Sequence, residues 1–86
     1  MNMYFLYIIK SISKDWHYIG ITEDIEKRIE KHNSASVRST KAYRPFILIH
    51  KEVFSDKQSA RRRKIFLKKT ARARKEIFEK QNAPIV

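Results

Sequence analysis

The apolar positions of this chain fall into short, separated runs whose spacing changes character along the sequence. Tyr4 to Lys10, "YFLYIIK", is aromatic and β-branched without strict alternation, the pattern of a central strand covered on both faces. After a polar turn at Ser11 to Asp15, Trp16 to Ile21 supplies a second strand, near enough in sequence to pair with the first as an antiparallel hairpin. The period then lengthens. Ile25 and Ile29 stand one helical turn apart, with Lys27, Glu30 and Lys31 directed outward, which predicts a helix to about Asn33. Thr22 is its expected cap, and Glu23 and Asp24 would occupy the first turn, where the helix dipole favours carboxylates.

Ser34 to Arg44 is small, polar and basic, has neither period, and reads as a surface loop. Pro45 to Phe54 is a third apolar run and a third strand, with proline at its first position, where a missing N–H is tolerated. Ser55 and Gln58 have capping-box spacing and open a second helix through about Lys69, with Ala60, Ile65, Phe66 and Leu67 as its core residues. A break near Thr70 leads to a third helix, Ala71 to about Lys80, anchored by Ile77 and Phe78 and followed by a frayed tail, residues 81–86. The order β-β-α-β-α-α predicts an α+β domain over residues 1–80, a small three-stranded antiparallel sheet with helices packed on it.

Composition sharpens this picture. Eighty-six residues can build one modest core, and 42% apolar content marks a folded body carrying its charge on the surface. That charge is +11 at pH 7, which points to a polyanionic partner, nucleic acid before an anionic membrane. No segment sets a Trp- or Phe-studded apolar face against a basic one, as an interfacial helix would. The absence of cysteine excludes disulfide staples and thiolate zinc sites and fits a reducing compartment, the cytoplasm. The apolar start, Tyr4 to Ile9, is too short for a membrane span and lacks the features of a signal peptide.

The charge is concentrated. Ser59 to Lys75, "SARRRKIFLKKTARARK", holds nine basic side chains and no acidic one. Such a run is ordinarily a solvated face, but here no interspersed glutamate relieves the repulsion, so phosphate contact is expected from a subset of Arg61, Arg62, Lys68, Lys69, Arg72 and Arg74. Contacts of this kind set affinity and position rather than base sequence. Arg38, Lys41, Tyr43 and Arg44 in the loop offer a second clamp.

Two stretches, "FLYIIKS" and, with its first tyrosine eleven positions beyond Tyr7, "YIGITEDIEKRIEKHN", resemble the GIY-YIG nuclease superfamily. The likeness is to its small stand-alone bacterial members, related to the nuclease domain found at the N-terminus of the bacterial excision-repair endonuclease. It continues through "STKAYRPF" and the basic helix. Phe5-Leu6-Tyr7 stands for the first triplet, its glycine lost and its tyrosine kept, and Tyr18-Ile19-Gly20 is the second triplet intact. The resemblance implies a catalytic arginine at Arg28, a residue near the reacting water at His32, and endonuclease activity on DNA, with DNA repair as its setting.

Physical chemistry supports the same set. Arg28 and His32 are i and i+4 on one helix and flank its core face, so both tips reach toward the sheet. A hairpin brings Tyr7 and Tyr18 within reach of each other, so two phenols, a guanidinium and an imidazole converge on one shallow pocket. Phosphodiester hydrolysis needs a base, for which His32 or Tyr7 assisted by Tyr18 qualifies, and a cation for the phosphoryl oxygens, for which the planar fork of Arg28 is suited. The bland readings are core tyrosines, a dipole-compatible terminal histidine, an Arg28–Asp24 ion pair and a Gly20 that merely ends a strand. His17 and His50 read as ordinary strand residues.

The family also implies a divalent metal, magnesium or manganese, bound by a glutamate in a pattern like Ala-x-x-Arg-Glu. Here that pattern reads Ala60-Arg61-Arg62-Arg63-Lys64. Lys64 stands at the ligand position, an ammonium cannot coordinate the ion, and no acid lies between Asp56 and Glu76. No metal-ligand set is therefore assigned; the two routes left are a substitute acid from another helix, Glu23, Asp24, Glu26, Glu30 or Glu76, and Lys64 itself set on the phosphate as a point charge. The expectation is a domain that binds duplex or branched DNA, RNA being the other candidate, with no membrane partner and no small-molecule cofactor. Cleavage is implied by resemblance and impaired at Lys64; the alternative is a non-catalytic DNA- or RNA-binding adaptor.

Overall fold

The computed structural model describes residues 3–34 and 37–82, with only the backbone for residues 81 and 82. Strand β1, Tyr4–Ser11, is the middle of a three-stranded sheet; β2, His17–Thr22, and β3, Phe46–Phe54, flank it, both antiparallel to it. Helix α1, Ile25–Asn33, lies between β2 and β3 in sequence, and α2, Lys57–Lys69, and α3, Ala71–Asn82, follow. This is the expected α+β order. Residues 83–86 of the expected tail lie outside the described residues, as do residues 35 and 36 of the loop.

The sheet divides the core by the parity of β1. Leu6 and Ile8 are fully buried on one face, with Ile19, with Leu67 of α2, and with Ala73, Ile77 and Phe78 of α3. Tyr7 and Ile9 are buried on the other, with Phe46, Trp16, Tyr18 and Tyr43 and with Ile25 and Ile29 of α1. Helices thus cover both faces of the central strand, which is why its sequence shows no alternation. A register shift between Ile8 and Ile9 pairs those neighbours with His50 and Leu48. The extra residue, Ile49, reverses the parity of β3. Phe46 therefore packs with Tyr7, while Phe54 packs with Leu6 on the opposite face.

Several local expectations are corrected. Asp24, not Thr22, caps α1, its carboxylate accepting the Lys27 N–H at 3.1 Å, while Thr22 closes a turn by accepting the Asp24 N–H at 3.2 Å. Asp56, not Ser55, caps α2, accepting both the backbone N–H and the hydroxyl of Ser59 at 2.8 Å. A carboxylate takes two donors at once, and these bonds hold the Asp56 pKa below its ordinary value. In α2 only Ala60 and Leu67 are buried, whereas Ile65 and Phe66 are 40% and 48% exposed. Four apolar positions cannot all face one sheet when three of them, Ile65, Phe66 and Leu67, are consecutive on a helix. Pro45 precedes β3 and follows Arg44 through a cis peptide bond, and the loop contains a 3-10 turn, Lys41–Tyr43.

Candidate active site

Tyr7 points from the middle of β1 toward α1, and Gly20 is its partner across the β2 ladder. Tyr18 pairs with Ile9, one diagonal step away, and the two tyrosine rings lie 6.2 Å apart, centroid to centroid. From α1, Arg28 and His32 reach the same place. Arg28 Nε donates to the Tyr7 hydroxyl at 3.3 Å, and His32 Nε2 is 2.9 Å from that hydroxyl. The four residues do converge, but two are sealed in: Tyr7 is 1% exposed and His32 fully enclosed. Tyr18 and Arg28 are half-buried and form the accessible part.

The second nitrogen of His32 fixes the direction of this chain of bonds. Nδ1 lies 2.8 Å from the hydroxyl of buried Thr40, and that hydroxyl donates to the Val37 carbonyl at 3.3 Å. Thr40 therefore accepts from Nδ1–H, which leaves Nε2 as the acceptor of the Tyr7 proton. Desolvation, reinforced by the Arg28 charge, lowers the His32 pKa from 6.5 to about 4, so the ring is neutral at pH 7. Burial raises the Tyr7 pKa above the ordinary phenol value, outweighing the Arg28 hydrogen bond that favours the phenolate. The same bond holds Arg28 above its ordinary value.

The loop beyond α1 is tied down around this centre. Asn33 accepts the Phe46 N–H and donates to the Phe46 carbonyl, and Ser11 Oγ donates to the Tyr43 carbonyl. Trp16 stacks on Tyr43 at 4.0 Å, and His32 also meets the rings of Tyr18 and Phe46. Sequence pattern does not single out Thr40, Asn33 or Trp16, and Tyr43, expected in the loop clamp, is half-buried against Trp16. The only signal for Thr40 was indirect: a buried imidazole needs a partner for each nitrogen.

The remaining predicted residues are distributed as follows. Asp24 makes no side-chain bond to Arg28 among the described residues; only their backbones meet, Arg28 N–H to Asp24 carbonyl. Lys64 is half-buried on α2, between the buried Ala60 and Leu67 of one helix face, and Lys68 one turn later holds its Nζ 5.9 Å from the Tyr18 ring centroid. Arg61, Arg62, Lys68, Lys69 and Arg72 are exposed, as are Arg38, Lys41 and Arg44 of the loop. Arg72 faces Glu76 at 3.8 Å. Arg74 is engaged internally, its Nη1 donating to the Leu67 and Lys68 carbonyls at the end of α2.

These residues do not fit the divalent ion that the resemblance implies. The group contains no carboxylate, both His32 nitrogens have partners, and no cluster of three or more His, Cys, Asp or Glu side chains suited to a metal occurs among the described residues. The acids nearest in sequence to Lys64 are occupied elsewhere. Glu52 is bonded to Arg63 and His50, which together hold its pKa below the ordinary value against the effect of burial. Among the described residues no helix is long and apolar enough to cross a membrane.

Comparison with known proteins places the chain in a family and a fold. The sequence model of the GIY-YIG catalytic domain matches residues 3–77. The chain is 38% identical over 85 residues to the UPF0213 protein YazA of Bacillus subtilis, covering 95% of this chain and 85% of that protein. It is 35% identical over 77 residues to a UPF0213 protein of Halobacterium salinarum, covering 88% and 99%. Its fold is similar to the solution NMR structure of the UPF0213 protein BH0048 of Bacillus halodurans, with a TM-score of 0.58 at 26% identity, covering 95% and 88% of the two chains.

Proposed function

Because this chain belongs to the GIY-YIG family, we propose that it is a DNA-binding domain of endonuclease type. It holds duplex or branched DNA by its phosphates, and its hydrolytic step is impaired where Lys64 replaces the family's carboxylate. The observation that carries this reading is the Tyr7 hydroxyl held between Arg28 and His32. Nothing about a core tyrosine requires a guanidinium and an imidazole on one phenol. The arrangement is that of a proton-transfer site beside a cation.

The chemistry open to these residues is definite. A water attacking phosphorus passes its proton to the Tyr7 oxygen as the Tyr7 proton moves to His32 Nε2, and the bridging P–O bond breaks, the leaving oxygen taking a proton from solvent. The half-exposed Arg28 stands by the charge on the phosphoryl oxygens. Three features slow this step. Tyr7 is 1% exposed, so its oxygen is nearly closed to water. Imidazolium forms in a buried site beside Arg28, which the lowered His32 pKa already disfavours, and among the described residues no cluster of ligating side chains stands ready for a metal.

The grip rests on the exposed cations Arg61, Arg62, Lys68, Lys69 and Arg72. The absent carboxylate favours a second reading, a non-catalytic adaptor for DNA or structured RNA. Incubation with branched and linear DNA plus magnesium or manganese, beside the Lys64→Glu protein, separates the two. Cleavage by Lys64→Glu alone is the expected result. Cleavage by neither, with salt-dependent binding by both, makes the protein an adaptor, and the same assay with RNA assigns its ligand.

A further inference from the structure

The replacement at Lys64 is part of a larger electrostatic arrangement. Ala60, Lys64, Leu67 and Lys68 are spaced i, i+4, i+7 and i+8, so they lie on one face of α2, and Ala60 and Leu67 fix that face against the sheet. Lys68 carries the stripe to the tyrosine site, its ammonium standing over the Tyr18 ring at 5.9 Å. On the other side of that site Arg28 bonds to Tyr7, which itself lies against Tyr18. Cations therefore flank the two phenols from two helices.

No acid balances the stripe. Among the described residues neither Lys64 nor Lys68 has an ion pair. Glu52 is bonded to Arg63 and His50, Asp56 caps α2, and Glu76 and Glu79 face Arg72 and Lys75. Lys64 is held below the ordinary lysine pKa by its burial first and then by the charges of Lys68 and Arg61. A half-buried ammonium that its neighbours destabilise is relieved by an anion. The anion suited to two ammonium point charges and a guanidinium is a phosphate.

We infer that Lys64 and Lys68 form a metal-free seat for a backbone phosphate of DNA beside Tyr18, occupying by direct charge contact the place the family gives to a metal ion. This rests on the DNA-binding reading above and adds where one phosphate sits and what neutralises it. The ammonium groups replace the ion in holding the substrate. They do not replace it in activating water, so binding persists where turnover is lost.

The test measures affinity for a short labelled DNA duplex in EDTA and in magnesium at matched ionic strength, over a range of salt. It compares the native protein with Lys64→Gln, Lys68→Gln, Lys64→Glu and, as an outer-face reference, Arg62→Gln. Circular dichroism checks folding, and exposed Lys68 carries the test if Lys64→Gln is unstable. The native protein is expected to bind equally well in both media. Lys64→Gln and Lys68→Gln should each bind more weakly, with a log–log salt slope shallower by about 0.9. Tyr18 ring resonances should shift on addition of DNA in EDTA and stay in place in the Lys64→Gln/Lys68→Gln protein. Lys64→Glu should bind poorly in EDTA and regain affinity with magnesium.

A native protein that needs magnesium to bind would overturn the inference. So would unchanged affinity and slope in Lys64→Gln and Lys68→Gln while Arg62→Gln loses both, a result that leaves the DNA grip intact and removes only the seat. Absence of binding by every form at low salt removes the DNA-binding reading itself, and the seat with it.

Discussion

The phenol of Tyr7 lies so close across Gly20 that a β-carbon on that glycine would stand 2.5 Å from the Tyr7 hydroxyl and 2.6 Å from Cζ. The only glycine of the chain is thus the floor on which the Tyr7 ring rests, with no positive φ involved. Gly20→Ala is expected to push the ring out of line with His32 and to cost about 1–3 kcal/mol by overpacking. Urea denaturation measures the cost, and loss of the His32 to Tyr7 coupling in NMR spectra reports the displacement. Tyr7→Phe should not rescue it, because Cζ remains in the way, whereas Tyr7→Leu should. Unchanged stability in Gly20→Ala would refute the account.

The neutral state of His32 carries a pH dependence. Its pKa falls from 6.5 to about 4 on folding, so between those values the unfolded chain holds a proton that the folded chain does not. Stability is complete above about pH 6.5 and is lost as pH falls toward 4, at up to about 1.4 kcal/mol per pH unit. The groups facing the ring are Tyr7, Tyr18, Thr40 and Phe46, with Arg28 bonded to Tyr7. None supplies a negative charge to hold imidazolium. A His32 ring that titrates by NMR near 6.5 would contradict this enclosed geometry.

Elements and site differ in how far the sequence disclosed them. The unalternating run at Tyr4 to Lys10 identified the central strand because burial on both faces leaves its mark on every residue. The GIY-YIG resemblance singles out Tyr7, Tyr18, Arg28 and His32, and their convergence is legible because strand pairing and the i,i+4 relation are local rules. The helix caps differ from expectation because each start offers more than one polar candidate, Thr22 and Asp24 at α1 and Ser55 and Asp56 at α2, and only backbone geometry chooses between them. Thr40 was invisible for a different reason. It meets His32 through a fold-back of the loop that no periodicity records.

Thr40 is therefore a separate test of the relay. Thr40→Val removes the acceptor of His32 Nδ1–H and leaves that donor buried, at a cost of about 1–3 kcal/mol. Nitrogen-15 spectra should show the native ring with its proton on Nδ1 and the Thr40→Val ring with a mixture of tautomers. Thr40→Ser, which keeps the hydroxyl, should restore both stability and tautomer. Loss of stability without any tautomer change would mean that Thr40 serves packing alone.

Arg72 and Arg74 are neighbours on α3 with opposite expected behaviour, though sequence alone gives them the same role. Arg72 is exposed and only loosely opposed by Glu76 at 3.8 Å. Its charge is open to a phosphate, and Arg72→Gln should weaken DNA binding and flatten the salt slope by about 0.9 with little change in stability. Arg74 donates to the Leu67 and Lys68 carbonyls at 2.7 and 2.6 Å, closing the C-terminus of α2 where α3 begins. Removing it strips a charged donor from two terminal carbonyls and should cost about 1–3 kcal/mol. Its own contribution to the salt slope should be small, because the guanidinium is committed to the helix end. Paired denaturation and DNA titrations of Arg72→Gln and Arg74→Gln measure both quantities. An Arg74→Gln protein with native stability and a flattened slope would reassign that side chain from the helix junction to the phosphate backbone.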